Sequence, residues 1–176
     1  HGLHGLLWAC GDGSLLTPSL AWVIVAVDPG DIATRIDDTA VPPKVRFRAA
    51  EVIHIGDRDS ATGWIAAHGG GGLPVVYGTA TAGYHGTATA GYHGTATAGD
   101  RGTATAGDRG TATAGEDGTA TAGYGGTATA GDGGVLIIHR YDSGRGRPSV
   151  GQVDGVTLLP DTPYRLDAAG EFEAVA

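Results

Sequence analysis

The most regular pattern in the chain runs from Gly78 to Gly133, where seven consecutive octads read G-T-A-T-A-G-x-x. Threonine and alanine alternate within each octad. In an extended strand this puts Thr79 and Thr81 on one face and Ala80 and Ala82 on the other. Threonine favours strands, and alanine is small enough to let two sheets approach closely. A variable pair flanked by glycines closes every octad and predicts a tight corner whose permissive backbone comes from those glycines. One octad is therefore one short strand plus one turn, and two octads make a flat coil. Such coils stack through backbone hydrogen bonds at about 4.8 Å, so seven octads build a slab on the order of 17 Å tall.

The flanking pattern is different. Ahead of the repeats, Trp22 to Val27, Lys44 to Phe47 and Glu51 to Ile55 read as strands. Ser60 to Ala67 reads as a short helix with Asp59 or Ser60 as N-cap and Gly69 just past its end. Gly69 to Gly72 and Leu73-Pro74 form a short joint, and Val75 to Tyr77 begins the first coil. Behind the repeats, Val135 to Tyr141 and Ser149 to Val153 read as strands around a turn at Ser143 to Arg147. Two short strands follow, at Pro163 to Leu166 and Glu171 to Val175. The prediction is a mainly β protein, a two-sheet β-solenoid of 16-residue coils. It carries a small α/β amino-terminal domain (1–72), the repeats (73–133) and a β-rich carboxy-terminal cap (134–176). Each end of a solenoid exposes a strand edge that pairs with other molecules unless covered, and both flanks are placed to cover one.

Composition narrows the functional classes. With 33 Gly, two Phe and no Met among 176 residues, the apolar 41% is rich in Ala and cannot fill a thick core, which argues against a bulky enzyme. A net charge of −8 removes the electrostatic footprint of a nucleic-acid binder. Cys10 is alone, so an internal disulfide framework and a cysteine zinc site are excluded. No apolar run is long enough to cross a bilayer as a helix, and WVIVAV from Trp22 to Val27 is far too short. The chain starts at His1 without Met or a leader, and so reads as truncated or processed.

The outward threonines carry the most regular chemistry. Coils of 16 residues align Thr79, Thr81, Thr95, Thr97, Thr111, Thr113, Thr127 and Thr129 on one face. Thr87, Thr89, Thr103, Thr105, Thr119 and Thr121 align on the other. Each face is a grid of methyl and hydroxyl groups, roughly 7 Å apart along a strand and about 4.8 Å between coils. Stiff β-branched rotamers hold it in place. A flat, rigid array of this kind holds surface water in lattice-like positions, and ice is its natural ligand. The alternative is a structural or self-assembly module whose threonines only keep a stiff spacer soluble.

Other constellations offer less. Asp100, Glu116 and Asp132 fall in one column and could gather a cation, but exposed turn carboxylates are ordinarily solvated, so no metal or cofactor is expected. Arg101 lies one coil from Asp117 and within reach of it. His85 and His93 sit on opposite edges, too far apart to act as joint ligands. His54 with Asp57 and Asp59 lacks an activated nucleophile, and Gly69 to Gly72 lacks the Lys-Ser/Thr of a phosphate loop, so no enzyme is expected.

The octads AGYHGTAT and AGEDGTAT resemble the A-G-Y-G-S-T-x-T repeats of bacterial ice nucleation proteins. HGLHGLLWACGDGSLL, AWVIVAVDPGDI and KVRFRAAEVIHIGDRDSA resemble that family's amino-terminal domain in order and spacing. LIIHRYDSGRGRPSVGQVDGV and PYRLD resemble its carboxy-terminal cap. The resemblance implies a surface that orders water and seeds ice through its T-x-T residues, with self-association enlarging the ordered area and a location at the bacterial cell surface or outer membrane. There are departures. The family carries dozens of repeats against seven here, the linker is reduced to GGGGLPVV, and Gly replaces Ser before the first Thr. A small template seeds ice only in deep supercooling, so one copy is expected to bind ice better than it nucleates it. Tyr84, Asp100, Glu116 and Asp132 share one column and Tyr92, Asp108 and Tyr124 the other, so no continuous tyrosine ladder forms. That disfavours the side-by-side association which stacked tyrosine implies in the family.

Overall fold

The computed structural model describes residues 3–11, 16–17, 19–35, 44–142 and 145–175. Among the described residues, β1 (Leu3–Leu6), β2 (Trp22–Ala26), β3 (Ile32–Arg35), β4 (Lys44–Phe47), β5 (Glu51–Gly56) and the α-helix α1 (Arg58–Ile65) precede the repeats. They form a three-stranded antiparallel sheet in the order β1-β4-β3 and a separate β2-β5 pair. Among the described residues of this part Cys10, Val45, Phe47, Ala61 and Ile65 are buried. The helix starts earlier than its apolar run suggests. Asp57 is the N-cap, its carboxylate accepting from the Ser60 amide at 2.8 Å, because the polar Arg58-Asp59 step completes the first turn. Its last residue, Ile65, is followed by a wide turn over Ala66–Gly70, within which Gly69 takes φ +109°.

The repeats fold as alternating strands of two sheets. β6 (Thr79–Ala82), β8 (Thr95–Ala98), β10 (Thr111–Ala114) and β12 (Thr127–Ala130) line one side; β7 (Thr87–Ala90), β9 (Thr103–Ala106) and β11 (Thr119–Ala122) line the other. Every pair is parallel and in register at a spacing of sixteen residues, Thr on Thr and Ala on Ala. The protein is mainly β, and its centre is a two-sheet β-solenoid of about four coils.

The alanines form the core between the sheets. From Ala88 to Ala130 each inward alanine is at most 3% exposed. A buried methyl contributes only about 0.8 kcal/mol, so continuity of the backbone ladder matters as much as burial.

Corners show the clearest departure from the sequence reading. Each is a four-residue turn closed by a glycine amide donating to the glycine carbonyl three residues back, as in Gly94 to Gly91 at 2.9 Å. The left-handed residue is not a flanking glycine but the second of the variable pair: His85, His93, Arg101, Arg109 and Asp117 have φ between 52° and 56°, and Gly125 and Gly133 follow at 67° and 70°. The invariant glycines are needed for space. A Cβ on Gly94 would lie 2.7 Å from the Ala90 Cβ and 2.9 Å from the carbonyl oxygen of Gly78 in the coil above. Tyr77, at φ 55°, occupies the same place one coil above His93, so Val75 to Tyr77 is the corner that precedes the first strand.

The two ends are finished differently. β13 (Val135–Asp142) adds a parallel rung beneath β11, and β14 (Arg145–Gln152) returns antiparallel along it. Residues 143 and 144 of the expected turn lie outside the described residues, and the strands reach closer to it than predicted. β15 (Tyr164–Leu166) and β16 (Phe172–Ala174) close the β12 edge. Leu136, Ile138, Val153, Leu158 and Tyr164 continue the alanine core with larger side chains. At the opposite end the amino-terminal elements meet the stack at a corner. Cys10 bridges to Val75, the Val76 amide donates to the Ala9 carbonyl at 2.8 Å, and Trp22 packs edge-on against Tyr77. Among the described residues no strand pairs with the outer edge of β6 or β7.

Candidate functional site

The in-register pairing of the strands turns the alternation of Thr and Ala into columns. Thr79, Thr95, Thr111 and Thr127 stack as one column, with Thr81, Thr97, Thr113 and Thr129 beside it. On the other sheet Thr87, Thr103 and Thr119 stack, with Thr89, Thr105 and Thr121 beside them. Parallel pairing fixes the rise at about 4.8 Å and the pleat fixes the lateral repeat near 7 Å. The first threonine of each strand is exposed from Thr79 to Thr111 and half-buried at Thr119 and Thr127; the second is exposed at Thr81 and half-buried thereafter. Among the described residues, none of these hydroxyls has an intramolecular hydrogen-bond partner. Both faces therefore present methyl and hydroxyl groups to solvent on a backbone held from beneath.

That backbone is held by the strand ladders and also at the corners. At the corners from Tyr77 to Asp117 the second turn residue donates its amide to the carbonyl of the coil below, as in His93 to Asp108 at 2.9 Å and Arg101 to Glu116 at 2.7 Å. Two aspartates add side-chain rungs: Asp100 accepts from the Glu116 amide at 3.1 Å and Asp108 from the Tyr124 amide at 2.9 Å. This structural role was not visible in the sequence, where Asp100 read as solvated and Asp108 only as a member of a turn column. Arg101 pairs with Asp117 at 3.6 Å, as its spacing predicts, and donates to the Tyr84 hydroxyl at 3.1 Å. The ion pair is exposed and worth under about 1 kcal/mol.

Tyrosines do not run in unbroken columns. Tyr77, Tyr92 and His93 form a local aromatic cluster at the first corner, with the Tyr77 and His93 rings parallel and 5.2 Å apart. Burial, and then the Arg109 charge, hold the His93 pKa below its ordinary value. The Arg58 guanidinium lies 5.9 Å above the Tyr77 ring, tying α1 to the same corner.

The remaining candidates have structural partners. His54 Nε2 is 2.9 Å from the Ser60 hydroxyl and its ring stacks on Trp64; Asp57 caps α1; Asp59 pairs with Arg58 at 2.7 Å. His85 and His93 belong to corners at opposite edges of the slab. Among the described residues no group of three or more His, Cys, Asp or Glu side chains is placed to hold a metal ion. No described helix is long and apolar enough to cross a membrane.

Curated relatives were found in Pseudomonas syringae. One is 38% identical over 69 residues, covering 38% of this chain and 6% of its own length. Another, from Pseudomonas syringae pv. syringae, is 38% identical over 69 residues and 5% of its length. Both are named ice nucleation protein. The chain resembles the bacterial ice nucleation family. It spans only 5 to 6% of the length of these ice nucleation proteins, so the likeness concerns a short part of each. No family model matches the chain, and no solved structure matches it.

Proposed function

We propose that this chain binds ice, that its two T-x-T arrays order the first layers of water, and that assembly of several copies lets it seed freezing. The observation that carries this reading is the register. Fourteen threonines, Thr79, Thr81, Thr87, Thr89, Thr95, Thr97, Thr103, Thr105, Thr111, Thr113, Thr119, Thr121, Thr127 and Thr129, stand in straight columns with hydroxyls that have no partner among the described residues. Ordering water on a surface costs least when the surface itself has no freedom to lose. β-branched side chains on a hydrogen-bonded ladder meet that condition. Similarity to proteins named for ice nucleation supports the choice of ligand. A place at the bacterial surface belongs to the same proposal, and cell fractionation tests it.

Replacing Thr95, Thr97, Thr111 and Thr113 with lysine tests the function. The changes put charged, mobile side chains in the centre of one face while leaving the alanine core untouched. Ice-growth inhibition and droplet-freezing temperature are expected to fall towards buffer values with the β circular-dichroism signal retained. Unaltered freezing by the folded variant would sink the ice reading and leave a soluble spacer.

A further inference from the structure

The two threonine faces continue differently into the carboxy-terminal cap. On the face of β6, β8, β10 and β12, the next strand is β15, whose Tyr164 stands opposite Ala128 and is buried in the core. Alternation turns the following residue, Arg165, outward, where it pairs with Glu173 of β16 at 3.0 Å, both side chains more than half exposed. Two long charged side chains therefore border that array. On the face of β7, β9 and β11 the continuation is uncharged. β13 lies in parallel register on β11, with Val135 opposite Thr119 and Ile137 opposite Thr121, while Leu136 and Ile138 join the core. Val135 and Ile137 are half-buried, as Thr119 and Thr121 are. β14 returns along β13 with Val150 opposite Ile137 and Gln152 opposite Val135. Residues directly opposite share a face, and a Cβ on the intervening Gly151 would meet Leu158 and Phe172 beneath the sheet, so Val150 and Gln152 point outward.

We infer that the surface offered to ice on the β7 face runs past its last threonine and includes Val135, Ile137 and Val150 of the cap. This rests on the function proposed above and adds residues to the same site. Valine and isoleucine share with threonine the branching at Cβ that leaves χ1 little freedom, so the added rungs are as stiff as the threonine rows. Valine differs from threonine in presenting a methyl where threonine presents its hydroxyl. Water over a methyl keeps its hydrogen bonds among its own neighbours with restricted orientation, so an apolar rung prolongs an ordered layer. Charged groups do the reverse: Arg165 and Glu173 turn water towards themselves, and their long stems lose rotamer freedom when held still. β13 and β14 add two rungs at about 4.8 Å each to those of β7, β9 and β11. The β7 face is thereby the longer array although it carries fewer threonines.

Partitioning of the full chain into slowly grown ice tests the extension. Val135→Lys combined with Val150→Lys is expected to halve the fraction of protein carried into the ice, with the β circular-dichroism signal retained. Val150 is 63% exposed, so Val150→Lys alone keeps the fold where the second lysine disturbs it, and it is expected to lower partitioning in the same direction. Glu173→Lys makes the same net change of charge as the two lysines but beside the β6 face, outside the inferred surface, and is expected to leave partitioning as in wild type. A wild type that stays in the liquid would sink the ice function and this inference together. A wild type that enters the ice would sink the inference alone in either of two cases: the folded Val150→Lys variant enters equally, or Glu173→Lys falls as far as the paired lysines do.

Discussion

Arg109, at φ 55°, and its neighbour Gly110 show how the repeat distributes backbone cost. The left-handed conformation costs an L-residue roughly 1–2 kcal/mol, while glycine loses about 0.5–1 kcal/mol of chain entropy on ordering. Arg109→Gly is therefore expected to stabilise the fold by up to about 1 kcal/mol. Gly110→Ala has the opposite sign, because its Cβ would lie 2.8 Å from both the Ala106 Cβ and the Gly94 carbonyl oxygen; a loss of about 1–3 kcal/mol is expected. Urea unfolding of both variants checks the pair. His93 sets a pH dependence. Its folded pKa is depressed, so the folded state favours the neutral ring and its contribution is fully present above the unfolded value. As pH falls below about 6.5 that contribution declines, and the decline ends once pH passes the folded pKa. The melting temperature should drop between pH 7 and 5 in wild type and drop less in His93→Gln. Thr/Ala facing was legible at this scale, because a period of two leaves no ambiguity. The corner chemistry was not: His, Arg, Asp and Gly share no obvious property until φ shows that all of them occupy one left-handed site.

At the scale of the element, strands were easier to read than their ends. The repeat strands follow from composition alone, and so does β4, where Val45 and Phe47 alternate with Lys44 and Arg46. β1 and β3 were missed, since Leu3–Leu6 and Ile32–Arg35 are short and gain their order from pairing with β4. α1 was found but placed two residues late, because its first turn is polar and only Asp57 marks the start. The two-sheet packing makes its own prediction. Ala112 is 0% exposed between closely spaced sheets, so Ala112→Val is expected to cost about 1–3 kcal/mol by overpacking. Ala80→Val, at the half-open end, should cost clearly less. Thermal melts of the two variants compare them directly.

Over the whole molecule, the stack behaves as a one-dimensional array in which each coil depends on its neighbours and the ends decide where it stops. The carboxy-terminal elements end it with larger side chains and antiparallel strands, while the described amino-terminal elements meet it at a corner. Sequence pattern gave no hint of that asymmetry, since both flanks contain apolar strands and only pairing partners distinguish them. What remains constant is the display of threonine on both flat faces. The fraction of protein carried into slowly grown ice is the most direct measure of what that display does. Wild type is expected to enter the ice well above the level of an inert protein of equal size, and the folded Thr95, Thr97, Thr111 and Thr113 lysine variant to stay in the liquid. Equal partitioning of the two into ice would contradict the account.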